Sequence, residues 1–211
     1  MLKQFTSYLR LYEALEGGSS PGRLDITKIT LDEAFRFASQ EFAKHDKILE
    51  KLFPNFKINF LAAQQKIKLG STKRKDMPVI RQKDIKALQS ILLRGGISLN
   101  KEYHRGKKKI HFSLQKVAVS SLTPIQDQVF FDKVIEAAAR ETRSETLTFL
   151  RNTIFVVSSD HRIVDGHHRF LSAMLINQNM KVPVLSVDLP IGELLPMMLK
   201  FSDQRNNVRN F

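Results

Sequence analysis

The C-terminal half of the chain carries short runs of apolar and β-branched residues that predict strands. Residues 110–112 and 117–119 form two such runs. A third run, 153–157, is typical of a buried strand, and 158–161 predicts a turn before a returning strand at 162–164. These patterns predict a hairpin near the middle of this half.

Apolar residues at helical spacing lie between and after these strands. Pro124 suits the first turn of a helix that carries the apolar face of 129–135. Residues 167–177 and 193–202 predict two further helices, with a strand at 182–187 between them. This order of elements predicts an α+β fold, in which a small mixed sheet packs with helices.

The N-terminal half shows helical spacings and no strand pattern, so we expect it to be mostly helical. Thr30 and Glu33 form a capping box that places a helix start near Leu31. The predicted helices span about 5–15, 31–53, 60–67 and 82–94, and residues 71–78 form a polar, basic loop. We therefore expect a helical region at 1–109 and an α+β domain at 110–211.

Positive charge is concentrated in the N-terminal half. The chain has a formal net charge of +13, and residues 66–109 alone hold 14 basic and 3 acidic residues. Like charges this dense repel one another, and a polyanion relieves the repulsion and releases counterions. We expect this region to bind nucleic acid, with duplex DNA favoured over a merely solvated surface or an anionic membrane. The residues assigned to this contact are Lys73, Arg74, Lys75, Arg105, Lys107, Lys108 and Lys109.

The composition excludes several classes of chemistry. The chain contains no cysteine, which excludes disulfides, thiolate metal sites and cysteine nucleophiles. It has no apolar run of about 18 residues, so we expect no membrane span. The first residues build no signal-type apolar stretch, and we therefore expect a cytoplasmic protein, in the host cytoplasm if a phage encodes it.

The sequence Asp165-Gly166-His167-His168-Arg169 follows a predicted strand and opens a predicted helix. The first N–H groups of a helix lack intrahelical acceptors and attract anions. Gly166 lets the backbone approach a phosphate, and Arg169 can hold two phosphate oxygens. His167 and His168 can donate hydrogen bonds or move a proton, and Asp165 can orient a histidine, hold Mg²⁺ or act as a base. The alternative is a plain Asp-Gly turn followed by surface or capping histidines.

Two neighbouring features extend this site. Arg162 lies on the hairpin beside the motif, where it either reaches a second phosphate or is a solvated strand residue. A set of acidic and imidazole side chains near the turn offers ligands for a hard metal ion that also touches phosphate. That set is Asp160, His161, Asp165, His167 and His168.

These segments together resemble the ParB/sulfiredoxin superfamily. The resemblance covers roughly 115–200 and rests on Leu122-Thr-Pro-Ile-Gln126, on the stretch 155–169 and on 182–187, in the family's order. It implies a compact domain that binds the phosphates of ATP, ADP or CTP, with Mg²⁺, at the turn. Gln126 and Arg162 join Gly166, His167, His168 and Arg169 as the implied phosphate-binding residues.

Departures from the family pattern reduce the number of family reactions that this chain could catalyse. Sulfiredoxins carry a cysteine where this chain has His167, so their redox repair is excluded. Free-serine kinases share the Asp-Gly-His-His-Arg motif but place a catalytic glutamate where this chain has Gln126, and an amide cannot accept a proton as a carboxylate does. Serine kinase chemistry would then need Asp127 or Asp165 as its base.

Three functions remain open from the sequence. The first is a DNA-associated protein that binds a nucleotide at the turn, with phosphoryl transfer or nucleotide hydrolysis, in which Asp165, His167 and His168 are the catalytic candidates. The second is a metal-dependent DNA nuclease, as described for some phage and plasmid members of the superfamily. The third is a non-catalytic phage protein associated with DNA or capsid, and the sequence leaves a homodimer open for all three.

Overall fold

The computed structural model describes residues 23–96 and 109–207. The helices are, in chain order, α1 (Leu31–Ala43), α2 (Leu49–Leu52), α3 (Phe56–Ile67), α4 (Ile85–Leu93), α5 (Phe131–Arg140), α6 (Arg143–Asn152), α7 (His167–Ile176) and α8 (Ile191–Gln204). The strands are β1 (Phe112–Ala118), β2 (Thr123–Pro124), β3 (Phe155–Val157), β4 (Arg162–Asp165) and β5 (Lys181–Val187). The predicted helix at 5–15 lies outside the described residues.

The five strands form one mixed sheet in the order β1-β5-β3-β4-β2. β1 pairs antiparallel with β5, and β5 pairs parallel with β3. β3 and β4 form the predicted antiparallel hairpin, and the short β2 pairs parallel with β4 at the far edge. The protein is therefore α+β with a mixed sheet, as the sequence predicts.

Helices cover both faces of this sheet because its central strands are apolar on both sides. On β3, Phe155 and Val157 face one hydrophobic core, whereas Val156 faces a second core. The first core includes residues of α1, α3, α5, α6 and α7, and the second core includes residues of α4 and α8. Helix α7 thus starts directly after β4, and its N terminus lies between the sheet and a layer of helices.

The hydrophobic packing does not follow the division at residue 109. Phe131 of α5 packs edge-on against Phe60 of α3, with 5.6 Å between the ring centroids, and Phe37 of α1 lies 6.2 Å from the same ring. Leu88 and Leu92 of α4 belong to the same core as strand residues of the C-terminal half. The described helices of the basic half therefore share their hydrophobic cores with the sheet.

The capping box at Thr30 and Glu33 starts α1 as predicted, but the single helix predicted for 31–53 is wrong. α1 ends at Ala43, and α2 follows after a turn in which Asp46 adopts a left-handed φ of 53°. The Lys47 ammonium group in this turn donates to two carbonyls at the end of α5. These long-range bonds give the last carbonyls of α5 a donor, and they favour a turn at Lys47 over a continuous helix.

Two further predictions are corrected in the C-terminal half, and one helix was not predicted. Pro124 does not open a helix: it lies in β2, at the sheet edge, where a residue without an N–H is tolerated. The two strands predicted around 110–112 and 117–119 form the one strand β1. α6, which starts at a second capping box formed by Thr142 and Glu145, was missed because its sequence is mostly polar.

Candidate functional site

Gly166 makes the turn between β4 and α7, as the sequence predicts. In the structure, neighbouring side chains pack closely against it because it has no side chain. Its φ is +112°, a conformation that favours glycine. A Cβ atom there would lie 2.9 Å from the Phe155 ring and 3.1 Å from the Arg169 guanidinium. The missing side chain of Gly166 therefore makes room for the Phe155 ring and the Arg169 guanidinium.

Asp165 and Arg169 form a buried ion pair across the first turn of α7. The Arg169 side chain donates to the Asp165 carboxylate and to the Ile154 carbonyl, and its guanidinium lies 5.0 Å from the Phe155 ring centroid. Asp165 also accepts the N–H of Ile80 at 3.4 Å. Burial raises the pKa of the Asp165 carboxyl, and the neighbouring Arg169 charge opposes that rise. Asp165 thus holds an arginine rather than a histidine.

The two histidines accept hydrogen bonds through Nε2 in the structure. His167 Nε2 accepts the backbone N–H groups of Ile125 at 3.2 Å and Gln126 at 3.3 Å. His168 Nε2 accepts the N–H of Phe130 at 3.3 Å. We call the segment from Ile125 to Phe130 loop 125–130. The imidazoles hold this loop against the N terminus of α7, and an acceptor Nε2 requires a neutral ring.

The surroundings of the histidines keep both rings neutral. Burial, followed by the positive charges of Arg169 and Arg74, lowers the pKa of His167 to about 3. Burial, followed by Arg74 and Lys133, lowers the pKa of His168 well below its usual range. Desolvation and nearby cations both disfavour the imidazolium ion. Neither ring therefore carries a charge near pH 7.

Two other segments fasten loop 125–130 from outside. On one side, the N–H groups of Ser71 and Thr72 both donate to the Ile125 carbonyl at 2.9 Å. A Cβ at Gly70 would lie 2.3 Å from the Gln126 carbonyl oxygen, so this backbone approach requires a glycine. On the other side, the N–H of Ile26 donates to the Val129 carbonyl at 3.0 Å. The loop is thus held by three parts of the chain that are distant in sequence.

The Phe130 ring is the meeting point of two cations and one histidine. The Arg74 guanidinium lies 5.1 Å and the Lys133 ammonium 5.4 Å from its centroid, both within cation–π range. The His168 ring centroid lies 6.2 Å away. Arg74 comes from the basic loop, Lys133 from α5 and His168 from α7. Positive charge from separate segments therefore converges at the N terminus of α7.

The structure brings only some of the predicted phosphate-binding residues together. Gln126 lies beside His167, but its side-chain amide donates to the Gln128 carbonyl. Arg162 is exposed at the opposite end of β4, where its Nε lies 2.9 Å from Asp160. The interpretation of Arg162 as a solvated strand residue therefore fits, and a role at the turn does not.

The basic residues assigned to nucleic acid divide into three groups. Lys73 and Lys75 are exposed beside the half-buried Arg74, and Thr72 pairs with Gln126, so this run adjoins loop 125–130. Lys109 is exposed near the start of β1. The other assigned residues, Arg105, Lys107 and Lys108, lie outside the described residues.

The structure gives no support to a metal ion at Asp165. A cation there would have to displace the Arg169 guanidinium from a carboxylate that is 5% exposed. Within 23–96 and 109–207, no three histidine, aspartate or glutamate side chains are grouped so that they could hold a metal ion. The Asp165 carboxylate, which is committed to Arg169, therefore does not fit the role of a Mg²⁺ ligand.

Sequence reasoning missed Phe130 and Lys133 as members of this cluster. Lys133 is 2% exposed, although it lies in a helix whose neighbouring residues are apolar. A lysine inside an apolar stretch such as 129–135 is a signal that could have been used, because a buried ammonium group needs partners. For Phe130 no local signal exists, because its ring is defined by contacts with Arg74 and His168.

No described helix is long and apolar enough to cross a bilayer. Comparison of the chain with models of known protein families, with curated proteins and with solved structures gives no match.

Proposed function

We propose that the chain is a DNA-associated protein of the ParB/sulfiredoxin type that binds a nucleotide through its phosphates at the N terminus of α7. The proposal is supported by the order of β3, β4, the Gly166 turn and α7, which corresponds to the family order that the sequence resembles. It is also supported by the basic run Lys73 to Lys75, which adjoins the same corner.

The observation that carries the proposal is the convergence of positive charge on the two histidines. Arg74, Lys133 and Arg169 come from three separate segments, and each lowers the pKa of His168. Asp165 forms an ion pair with one of these cations, Arg169. Cations gathered at a helix N terminus repel one another, and an anion that binds there relieves the repulsion. A nucleotide phosphate is such an anion.

Binding at this corner requires loop 125–130 to move. His167, His168 and Arg169 are each at most 5% exposed, and the loop covers both imidazoles. The bonds from the histidines to the loop are ordinary neutral hydrogen bonds, which contribute about 1 kcal/mol each. A charge-assisted bond to phosphate is roughly twice as strong, so ligand binding can offset the loss of the loop contacts.

The residues around the loop limit the chemistry that accompanies binding. Asp165 is committed to Arg169, and Gln126 is an amide, so neither is placed to accept a proton. Asp127, which is half-buried in the loop, is the remaining candidate for a general base in phosphoryl transfer or nucleotide hydrolysis. Positioning and charge neutralisation by the cations would supply most of the rate enhancement.

A thermal-shift panel tests the proposal. ATP, ADP and CTP are each added to the full chain, with and without Mg²⁺. A nucleotide at 100 times its Kd stabilises the folded state by about 2.7 kcal/mol, which raises the melting temperature of a chain of this size by about 5 to 11 °C. The absence of any shift with all three nucleotides at millimolar concentration contradicts the proposal.

One observation favours a second candidate, a non-catalytic DNA-binding protein in which the corner is only structural. Each polar side chain of the motif already has a protein partner: Arg169 has Asp165 and Ile154, and the two histidines have loop N–H groups. Such saturation is what a packing element requires. Duplex binding without any nucleotide effect in the same panel supports this candidate.

A further inference from the structure

The exposed face of α4 carries three basic side chains, and segment 77–96 places no exposed acid among them. Lys83, in the 3-10 turn that leads into the helix, is exposed, as are Lys86 and Arg94. Their spacing of three and eight residues places them on one side of the helix, with the exposed Ser90 between them. We call Lys83, Lys86 and Arg94 the α4 basic face.

The one acidic residue of 77–96 is removed from this surface. Asp84 is 1% exposed, and its Oδ1 accepts Nε and Nη2 of Arg205 at 3.0 and 2.9 Å. Its Oδ2 accepts the Asn207 amide at 3.0 Å. The carboxylate is thus neutralised inside the protein, beside α8, and cannot pair with the lysines that flank it in the sequence. Residues 77–96 therefore contribute only positive charge to the α4 basic face.

The other side of α4 fixes this face in place. Ile85, Leu88 and Leu92 are buried in the core between the sheet and α8. At the end of the helix, the N–H of Ile110 donates to the Leu92 carbonyl at 3.0 Å, which places the exposed Lys109 near the C-terminal end of α4. Arg94 is oriented along the helix, because its Nε donates to the Ser90 carbonyl at 3.2 Å. The cations are thus presented by a rigid element.

We infer that the α4 basic face is the surface on which duplex DNA docks, an inference that rests on the proposed association with DNA. From Lys83 to Arg94 the helix axis spans about 17 Å at 1.5 Å per residue. The major groove of B-DNA is about 12 Å wide, so cations at the two ends of this face reach phosphates on both of its walls. Contacts of this kind fix orientation without reading sequence.

The chemistry of the face favours duplex DNA over two other polyanions. Insertion into a membrane interface requires a helix with an apolar exposed face. Leu93, which is 52% exposed, is a single large apolar side chain at the end of this helix and does not make such a face. Residues 81–96 contain no aromatic residue on which single-stranded bases could stack. Phosphate contact is what remains for this surface.

The test compares two triple variants of the full chain that lose equal charge. One carries Lys83→Gln, Lys86→Gln and Arg94→Gln. The control carries Arg140→Gln, Arg143→Gln and Arg151→Gln, which change three exposed arginines on α5 and α6, in the layer on the other side of the sheet. Binding to a fluorescent 24-base-pair duplex is measured by anisotropy over a range of KCl concentrations. Circular dichroism and the melting temperature verify that both variants fold.

We expect the α4 variant to bind the duplex at least tenfold more weakly than the wild type at about 0.1 M salt. Its slope of log K against log salt should be smaller by about 2 to 3, because three phosphate contacts are lost. The control variant should lose less than threefold. Equal losses in both variants, or none in the α4 variant, overturn the α4 assignment and leave DNA binding intact.

Two further outcomes separate the alternatives. If the wild type binds no duplex at low salt, the proposed association with DNA fails, and the α4 assignment fails with it. If the α4 variant keeps duplex binding but no longer sediments with vesicles that contain phosphatidylserine, the face contacts membranes instead, and the assignment is overturned. Loss of duplex binding with unchanged nucleotide-induced stabilisation places the DNA contact at α4, apart from the α7 corner.

Discussion

The imidazole of His168 is bonded to the residue against whose ring it packs. Its Nε2 accepts the backbone N–H of Phe130 at 3.3 Å, and the two ring centroids are 6.2 Å apart. With the corresponding bonds from His167, this relationship joins loop 125–130 to the N terminus of α7. Protonation of either ring removes an acceptor from a buried N–H group, and the stability of the loop therefore depends on pH.

We expect the free energy of unfolding to fall as the pH drops below about 6.5. His167 has a pKa of about 3 in the folded protein and an ordinary value near 6.5 when unfolded, so the unfolded chain binds more protons between these values. Each pH unit in this window removes up to about 1.4 kcal/mol through His167 alone. Urea unfolding at pH 7, 6 and 5 measures the slope.

The free energy of unfolding should depend less steeply on pH in His167→Gln than in the wild type. The amide oxygen accepts the loop N–H groups without titrating. His111→Gln, which changes an exposed histidine, is the control and should keep the wild-type slope. If His167→Gln shows the full wild-type dependence on pH, the ring is not the buried neutral acceptor that the structure describes.

We expect Gly166→Ala to destabilise the protein by about 1 to 3 kcal/mol. Alanine at a φ of +112° is strained, and its Cβ would press on the Phe155 ring at 2.9 Å. Gly192→Ala is the matched control: it lies in α8, and a Cβ there meets nothing within 4 Å. That substitution should stabilise the protein by about 0.5 to 1 kcal/mol. Thermal unfolding of both variants decides, and an unaffected Gly166→Ala would mean that the turn is not fixed as described.

We expect Arg169→Met to cost about 3 to 5 kcal/mol, because it leaves the Asp165 carboxylate buried without its cation. The double variant Asp165→Asn with Arg169→Met should recover part of that loss, since no buried charge is then unpaired. Chemical denaturation of the two single variants and the double variant completes a thermodynamic cycle. Strictly additive effects would show that the two side chains do not interact.

The β3–β4 hairpin and α7 could be predicted from the sequence, because a β-branched run, a turn and helical spacing are local signals. Pro124 shows the limit of such signals: its chemistry suits a helix start and a sheet edge equally, and the pairing with Ile163 of β4 decides between them. The break after α1 depends on bonds from Lys47 to the distant end of α5, which no local pattern reveals.

The candidate site was predictable in its position and not in its contacts. The sequence placed Gly166, His167, His168 and Arg169 at the start of a helix, and the structure has them there. It could not show that both histidines accept loop N–H groups, because Ile125 and Phe130 lie about 40 residues earlier in the chain. Residue types alone therefore predicted that these side chains bind a phosphate, whereas in the structure they bind other parts of the protein.

Calorimetric titration of the full chain with ATP, ADP and CTP tests most directly whether the α7 corner binds phosphate. Arg74→Gln changes the cation that lies over Phe130, and Lys75→Gln, with the same loss of charge in the same segment, changes an exposed neighbour. The account predicts saturable binding of a nucleotide to the wild type and to Lys75→Gln, weakened about tenfold in Arg74→Gln. Equal affinity in all three proteins, or no heat with any nucleotide, contradicts it.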